Sequence, residues 1–440
     1  MINLRRYPTH LTFAIHLLVV FMAVAFHWKH DNWLSDYDRA TQFLPWFSYI
    51  GERVRDFEVP AWNVHDGSGV PAIGSPAGGW LYLPVMVSFS LFEAENAYKM
   101  LVLLQSLIGG AATLALCRRV NLGHLATFTA ATAFAVGPLL YSATMFSTPV
   151  SQIVSFFPVG ILAAENAIRA TGHSSRFGWS MLGAVAMVNM FAASPPRFMF
   201  GALTMVAWLG YRWLISRPHD VPDRHLVFLR ALQFGTAMGV GTLLLGLSSF
   251  WPVYAFQEAS NVAGADYTSL VGADYVQRLG SWQYIAKSFL EGNNPSLRVM
   301  LQGSAVLLTS GVAILLGRNR GELWFFAGLT WLFLDLSWRQ SLSRPVLNLL
   351  PGFEQINSHR PNSTQMFVMF SLAMVCGAGI QVIQNNPRGR WVVMLKLIPL
   401  AVLLVLFDGI IRANYDLGWW QYSIAVIATI VLLLPELMRL

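Results

Sequence analysis

Charged residues and cysteine are both scarce in this sequence. Only 12% of the 440 residues are Asp, Glu, Lys or Arg, whereas roughly 25% is usual in a soluble domain. Hydrophobic residues make up 55% of the chain, and the mean hydropathy is +0.50. This composition excludes an ordinary soluble domain and predicts a polytopic membrane protein.

The two cysteines exclude further classes of protein. Cys117 ends one apolar segment and Cys376 lies inside another, which indicates neither a disulfide framework nor a Cys-based metal site. We interpret both as packed thiols. The net charge of +7 does not indicate nucleic acid as a partner, because Arg and Lys act as topology determinants in the cytoplasmic loops of membrane proteins.

Long apolar stretches are abundant. Since about 20 apolar residues cross a bilayer, we predict an all-α polytopic fold with about twelve transmembrane helices in a single membrane domain, residues 1–440. The first stretch is interpreted as an uncleaved helix and not as a signal peptide. Stretch 80–92 is too short to cross and contains Pro84, so an interfacial or re-entrant helix is expected there. The predicted spans are 10–28, 97–117, 121–143, 148–168, 177–194, 197–216, 229–254, 299–317, 322–338, 364–384, 391–409 and 418–437.

The short basic loops predict the orientation. If the spans alternate, every basic cluster falls on one side, and that side is the cytoplasm. Both termini then lie in the cytoplasm, and the long loops 29–96, 255–298 and 339–363 lie outside it. The basic clusters are Arg5/Arg6, Arg118/Arg119, Arg169/Arg176, Arg212/Arg217/Arg224/Arg230, Arg318/Arg320 and Arg388/Arg390.

The segment SDYDRATQFLPWF, residues 35–47, places acids directly after the first span. Helical spacing puts Asp38, Gln42 and Pro45 near one face, with Asp36 about half a turn away. The simplest interpretation is a helix cap and a solvated turn. Alternatively, two close carboxylates can accept a proton or bind a divalent cation.

Two further features favour the functional interpretation. Aromatic and apolar residues, Phe43, Leu44, Trp46, Phe47 and Ile50, are expected to hold the segment against the membrane surface. The loop then continues as WNVHDGSGVPAIGSPAGGWLYLP, which is too rich in Gly and Pro to form a helix. Long structured loops are usually functional.

Four short motifs follow one another in this loop. They are D-x-x-x-Q-x-x-P-x-F at Asp38, Gln42, Pro45 and Phe47, W-N at Trp62 and Asn63, G-x-G-x-P at Gly67, Gly69 and Pro71, and L-Y-x-P at Leu81, Tyr82 and Pro84. Their order resembles the first external loop of YfhO-like membrane proteins of the GT-C superfamily of integral membrane glycosyltransferases. LPGFEQINSHRPNS, residues 350–363, resembles a late external segment of that family. In SPPRFMFG, residues 194–201, Pro195 or Pro196 and Arg197 replace the His and Gln of the turn that relatives often carry.

The resemblance implies a GT-C-like architecture in the bacterial inner (plasma) membrane. It implies an inverting transfer of a sugar from a polyprenyl-phosphate donor to an extracytoplasmic acceptor. Asp38 matches the family's acidic residue and would be the base; Asp36 is the second candidate, and the pair is a possible site for a divalent cation. The cationic candidates for the phosphate are Arg360, His359, Arg344, Arg197, Lys287 and Arg298. The other expected substrate contacts are Gln42, Trp62, Asn63, His65 and Tyr82.

Two alternatives to the enzyme stay open. One is a transporter or flippase for a lipid-linked substrate, although the spans lack the several mid-membrane acids or bases that proton coupling needs. The other is a non-catalytic subunit on the same scaffold with a membrane-protein partner. Many GT-C enzymes carry an external C-terminal domain that is not expected here, so acceptor recognition would need the loops or such a partner.

Polar residues elsewhere have simpler interpretations. Glu165 and Arg169 are spaced as a helical ion pair, and His16 and Gln105 are expected to form interhelical hydrogen bonds. Asp335 and Asp408 lie close to external ends of spans, where they could face water. Gly-Ala-Asp-Tyr recurs at 264–267 and 272–275, which favours two helix caps over acceptor contacts.

Overall fold

The computed structural model describes residues 9–30, 38–75, 78–140, 143–144, 148–259, 303–316, 321–337, 341–350, 353 and 364–385. These ranges are mostly helical and contain no β-strand; Asn63 and Val70 form an isolated bridge. The prediction of an all-α architecture is therefore confirmed for the described part of the chain.

The α-helices of these ranges are numbered in chain order. They are α1 Thr9–His30, α2 Leu44–Arg55, α3 Leu83–Leu91, α4 Ala94–Arg119, α5 His124–Phe134, α6 Thr148–Arg169, α7 His173–Ala193, α8 Pro195–Leu214, α9 Arg224–Ala259, α10 Gly303–Leu316, α11 Gly321–Ser337, α12 Arg344–Leu347 and α13 Gln365–Asn385.

Each predicted span up to residue 384 contains a helix, and the spans predicted at 391–409 and 418–437 lie outside the described residues. By length and composition, 5 helices in the described ranges are able to cross a membrane. They are His10–Lys29, Ala94–Arg119, Thr148–Arg169, Arg224–Phe256 and Phe367–Asn385. This agrees with a helical membrane protein.

Two predicted spans differ in detail from the observed helices. Helix α9 continues to Ala259, a few residues beyond the end of the span predicted at 229–254. The span predicted at 121–143 is not one regular helix, because α5 passes into a π-helical turn, Ala135–Leu139, with non-helical backbone at Gly137. Pro138 lacks the N–H that a continuous helix would need there.

Helix α6 forms the centre of the bundle. In its most apolar window 89% of the residues are buried, against 22% in the corresponding windows of α1 and α9. Phe157 of α6 stacks edge-on against Phe367 and Phe370 of α13, with ring centroids 4.8 and 5.3 Å apart. Helix α6 is buried although it carries Gln152 and Glu165, whereas the exposed apolar faces of α1 and α9 suit contact with lipid.

The helix ends form two groups. At one end, which we call the basic end, Arg169 pairs with Asp220 at 3.1 Å and Arg230 donates to the carbonyl oxygen of Ile168 at 2.8 Å. At the other, the loop end, the Leu83 N–H donates to Asn189 Oδ1 at 2.8 Å. The basic clusters of α6 through α9 therefore share one end, as alternating spans require. Which end faces the cytoplasm stays a prediction.

Candidate functional site at the loop end

Asp38 is the first residue of the first loop that the structure describes, and its backbone is helical. It precedes a π-helical turn, Arg39–Phe43, that continues directly into α2, and its side chain makes no capping hydrogen bond. Asp38 is exposed, Gln42 is half-buried, and Arg39 is only 2% exposed. The carboxylate is therefore accessible on a residue with helical backbone angles. Turns of π-helix are frequent at functional sites.

The scaffold behind Asp38 is a close contact between α2 and α3. Phe47 is fully buried, and its ring centroid lies 5.6 Å from that of Phe89. A Cβ at Gly51 would lie 2.3 Å from the Phe89 carbonyl oxygen, so only glycine fits this crossing. Phe43, Phe47 and Ile50 were expected to contact the membrane surface; that was wrong, because α3 provides an apolar face within the protein that covers them.

The loop after α2 is irregular, as its composition predicted, and its turn is held by Asn63. The backbones of Asn63 and Val70 exchange hydrogen bonds of 2.8 and 3.0 Å. The Asn63 side chain is buried, and its Oδ1 accepts the N–H of His65 at 3.0 Å. This local bond stabilises the turn. A contact between Asn63 and substrate stays a prediction.

Trp62 and His65 lie on the outside of the same turn. Trp62 is 53% exposed and packs over Gly69, whose φ is +98°, and a Cβ on that glycine would lie 2.3 Å from Trp62 Nε1. Tyr49 donates its hydroxyl to the Trp62 carbonyl oxygen at 2.7 Å, and its ring contacts exposed His65 edge-on. Both predicted substrate contacts are therefore accessible on an ordered loop.

Tyr82 lies inside the bundle. Its hydroxyl is 3.0 Å from Ser155 Oγ and donates to the Gln152 carbonyl oxygen at 3.3 Å. Gln105 is buried beside it, within hydrogen-bonding reach of the same hydroxyl. Tyr82 thus anchors the start of the short helix α3 to α6, which accounts for the Leu-Tyr-x-Pro motif structurally. Its predicted contact with substrate stays untested.

Two of the predicted cationic residues are described. Arg197 is half-buried at the start of α8 and donates Nη1 to Ser194 Oγ at 3.2 Å. Arg344 begins α12 and donates Nη2 to the Leu336 carbonyl oxygen at 3.1 Å. Burial lowers the pKa of the Arg344 guanidinium, and the charge of Asp335 opposes that shift. Both guanidinium groups are therefore held by protein oxygens.

Asp335 was expected to face water, and that expectation was wrong. Its side chain is 8% exposed. Its carboxylate accepts the hydroxyl of Ser341 at 2.8 Å and the N–H groups of Leu342 and Ser343 at 3.0 and 2.8 Å. Asp335 thus fixes the turn between α11 and Arg344.

The remaining predictions fall beyond the described residues. They concern Asp36, Lys287, Arg298, His359, Arg360, Asp408 and the two Gly-Ala-Asp-Tyr segments. Within the described ranges, no group of three or more His, Cys, Asp or Glu is placed to hold a metal ion. Cation binding by Asp36 and Asp38 therefore stays a prediction.

A small cavity lies between α2 and the turn that follows it. Trp46, Tyr49, Ile50 and Asn63 contribute to its wall, and its volume is about 10 Å³. That is room for about one water molecule, and a sugar would not fit. This cavity is therefore not a sugar-binding site.

Sequence analysis missed an ionic cluster at the basic end. The expected pair of Glu165 and Arg169 is confirmed at 2.7 Å, but Arg212 Nη2 also contacts Glu165 at 2.8 Å and Trp208 Nε1 donates to it at 3.1 Å. Arg212 was counted among loop residues, yet it lies in α8 and is fully buried. Arg212 follows Trp208 by four residues within apolar sequence. This spacing predicts that both side chains lie on one face of a helix.

Comparison of the chain with protein-family models, with curated proteins and with solved structures finds no match.

Proposed function

We propose that this protein is an inverting membrane glycosyltransferase that takes its sugar from a polyprenyl-phosphate donor at the extracytoplasmic face. The inner membrane of a bacterium, with both termini in the cytoplasm, is the proposed location. The observation that carries the proposal is the exposed carboxylate of Asp38, which makes no capping hydrogen bond and precedes a helical segment that α3 packs against closely.

The proposed reaction uses a carboxylate and at least one cationic group. Asp38 accepts the proton of an acceptor hydroxyl, and the resulting oxygen attacks the anomeric carbon of the sugar. The bond between that carbon and the donor phosphate breaks, and polyprenyl phosphate leaves with the bonding electrons. Arg197 and Arg344, with the predicted His359 and Arg360, are the proposed partners of the phosphate charge. A divalent cation at Asp36 and Asp38 is the proposed alternative.

The order of elements also supports this proposal. Asn189 of α7 binds the backbone at the start of α3, and Arg197 follows only a few residues later at the start of α8. Phe200 of α8 packs against Phe333 of α11, whose end leads to Arg344. These contacts favour an arrangement in which the first loop and the two arginines lie at the same end of the bundle.

A non-catalytic membrane subunit is the second candidate. Asn63 and Tyr82, two residues of the family-like motifs, bind other parts of the protein, and the cavity behind α2 is too small for a sugar. A scaffold that had lost its chemistry would show such features, because fold alone does not fix function.

A transfer assay tests the proposal. The full chain is reconstituted in liposomes with a radiolabelled polyprenyl-phosphate sugar and a membrane extract as the source of acceptor. Asp38→Asn preserves the shape of the side chain and removes the base, so we expect transfer to fall by about 100-fold or more. Asp56→Asn changes an exposed acid at the end of α2 and is expected to transfer normally.

Full activity of Asp38→Asn would overturn the assignment of the base. Absence of transfer by the wild type, together with co-purification of a stoichiometric membrane protein, would support the subunit instead.

A further inference from the structure

The basic end carries an open groove that the proposed reaction does not use. It lies between α1, α4, α6 and α7, is open on one side, and has a volume of about 760 Å³. Its lining is His10, Phe13, Leu114, Ala115, Arg118, Arg119, Leu162, Asn166 and Trp179. We call it the basic groove.

The charge of the basic groove is uncompensated. Arg118 and Arg119 line it, no acid does, and neither arginine forms an ion pair in the part of the chain that the structure describes. Arg118 Nη1 donates to the Leu122 carbonyl oxygen at 2.7 Å. Arg119 is half-buried, and its Nε is buried without a hydrogen-bond partner. Two arginines that line one groove favour an anion with several oxygens, such as a phosphate.

The apolar part of the groove indicates an amphiphile. Phe13, Leu114 and Leu162 provide apolar surface beside the arginines. The face of α1 that bears His10 continues it, since Phe21, three turns further along that face, is 45% exposed. A ligand with a phosphate at the arginines and acyl chains along α1 would satisfy both surfaces. A soluble phosphate would leave the apolar part uncovered.

The neighbouring acid does not neutralise this site. Glu165 precedes the groove residue Asn166, but its carboxylate is fully buried and is bound by Arg169, Arg212 and Trp208. The basic end therefore contains one group of arginines that is paired and one that is not.

We propose that the basic groove binds the phosphate headgroup of an anionic phospholipid. Arg118 and Arg119 contact the phosphate, and the acyl chains lie along the same face of α1. This site is at the opposite end of the bundle from Asp38 and does not depend on the proposed transferase activity.

The test measures binding of phosphatidylglycerol to the full chain in neutral detergent by native mass spectrometry, with zwitterionic phosphatidylcholine, which has no net charge, as the comparison. Each Arg beside an anionic headgroup contributes roughly 1 kcal/mol. We therefore expect Arg118→Gln/Arg119→Gln to weaken phosphatidylglycerol binding about 10- to 30-fold. Arg119→Gln alone, which leaves the bond from Arg118 to Leu122 intact, should weaken it about 3- to 5-fold.

The matched control removes two exposed arginines that do not line the groove, Arg217→Gln/Arg224→Gln. We expect less than about a two-fold change. Equal losses in the two double variants would show general surface attraction and overturn the proposal. Displacement of the lipid by millimolar inorganic phosphate would also overturn the proposal, because the site would then bind a free anion. The midpoint of thermal unfolding is also measured in phosphatidylcholine. If Arg119→Gln leaves that midpoint unchanged, misfolding is excluded as the cause of weaker lipid binding.

Discussion

The two ends of the bundle use charge in opposite ways. At the basic end, Glu165 and Arg212 are fully buried and bind one another and their neighbours. At the loop end, Asp38 is exposed, and apolar packing of Phe47 against α3 holds its helix. A charged side chain that does not stabilise the fold is available for catalysis. We therefore expect loss of charge to reduce stability at the basic end and activity at the loop end.

The largest effect is expected from Arg212→Ala. Removing one partner of a buried ion pair leaves the other charge uncompensated. Arg212 also binds Glu322 at 2.7 Å and lies over the Trp208 ring at 4.7 Å. The free energy of unfolding in mixed micelles should fall by about 3–5 kcal/mol. Arg224→Ala, at an exposed position, should change it by less than about 0.5 kcal/mol; similar values for both would refute the role of the buried cluster.

A smaller effect is expected at the crossing of α2 and α3. Gly51→Ala places a methyl group against the Phe89 carbonyl oxygen, so the free energy of unfolding should fall by about 1–3 kcal/mol. Gly210→Ala is the matched control, because no atom lies within 4 Å of its added Cβ. Alanine is the better helix former, so this control should be neutral or stabilising by up to about 1 kcal/mol. An equally stable Gly51→Ala protein would mean that α2 and α3 do not cross so closely.

The smallest structural effect is expected from Tyr82→Phe. It removes the hydroxyl that binds Ser155 and the Gln152 carbonyl oxygen and leaves the ring in place. We expect the free energy of unfolding to fall by about 1 kcal/mol. The transfer activity per folded protein molecule should stay the same. Normal stability combined with loss of transfer would instead indicate that Tyr82 contacts substrate.

Apolar length in the sequence predicted much of the fold. The helices α1, α4, α6 and α13 lie where long apolar stretches required them, since a helix satisfies its own backbone in lipid. The short α3 was expected from its length and Pro84. The break at Gly137 was missed because the span was predicted from apolar length alone, although Pro138 indicates a break.

The site was harder to predict than the fold. Asp38 is exposed, as its position in a loop predicts. The sequence did not show that Phe43, Phe47 and Ile50 pack against α3, because apolar residues suit contact with lipid and with protein equally. Asp335 and Arg212 were misplaced for a related reason: their partners are brought together only by the packing of distant helices and turns.

Chemical labelling of the two ends tests the central claim, that the loop end faces outwards and the basic end faces the cytoplasm. The native thiols of Cys117 and Cys376 are buried, so a new surface cysteine can be followed alone. Ser68→Cys in the first loop and Ser175→Cys in α7 are both at exposed positions, one at each end. A membrane-impermeant maleimide on intact spheroplasts should label Ser68→Cys directly and Ser175→Cys only after permeabilisation. Labelling of Ser175→Cys alone in intact cells would contradict the orientation and, with it, the proposed extracytoplasmic site at Asp38.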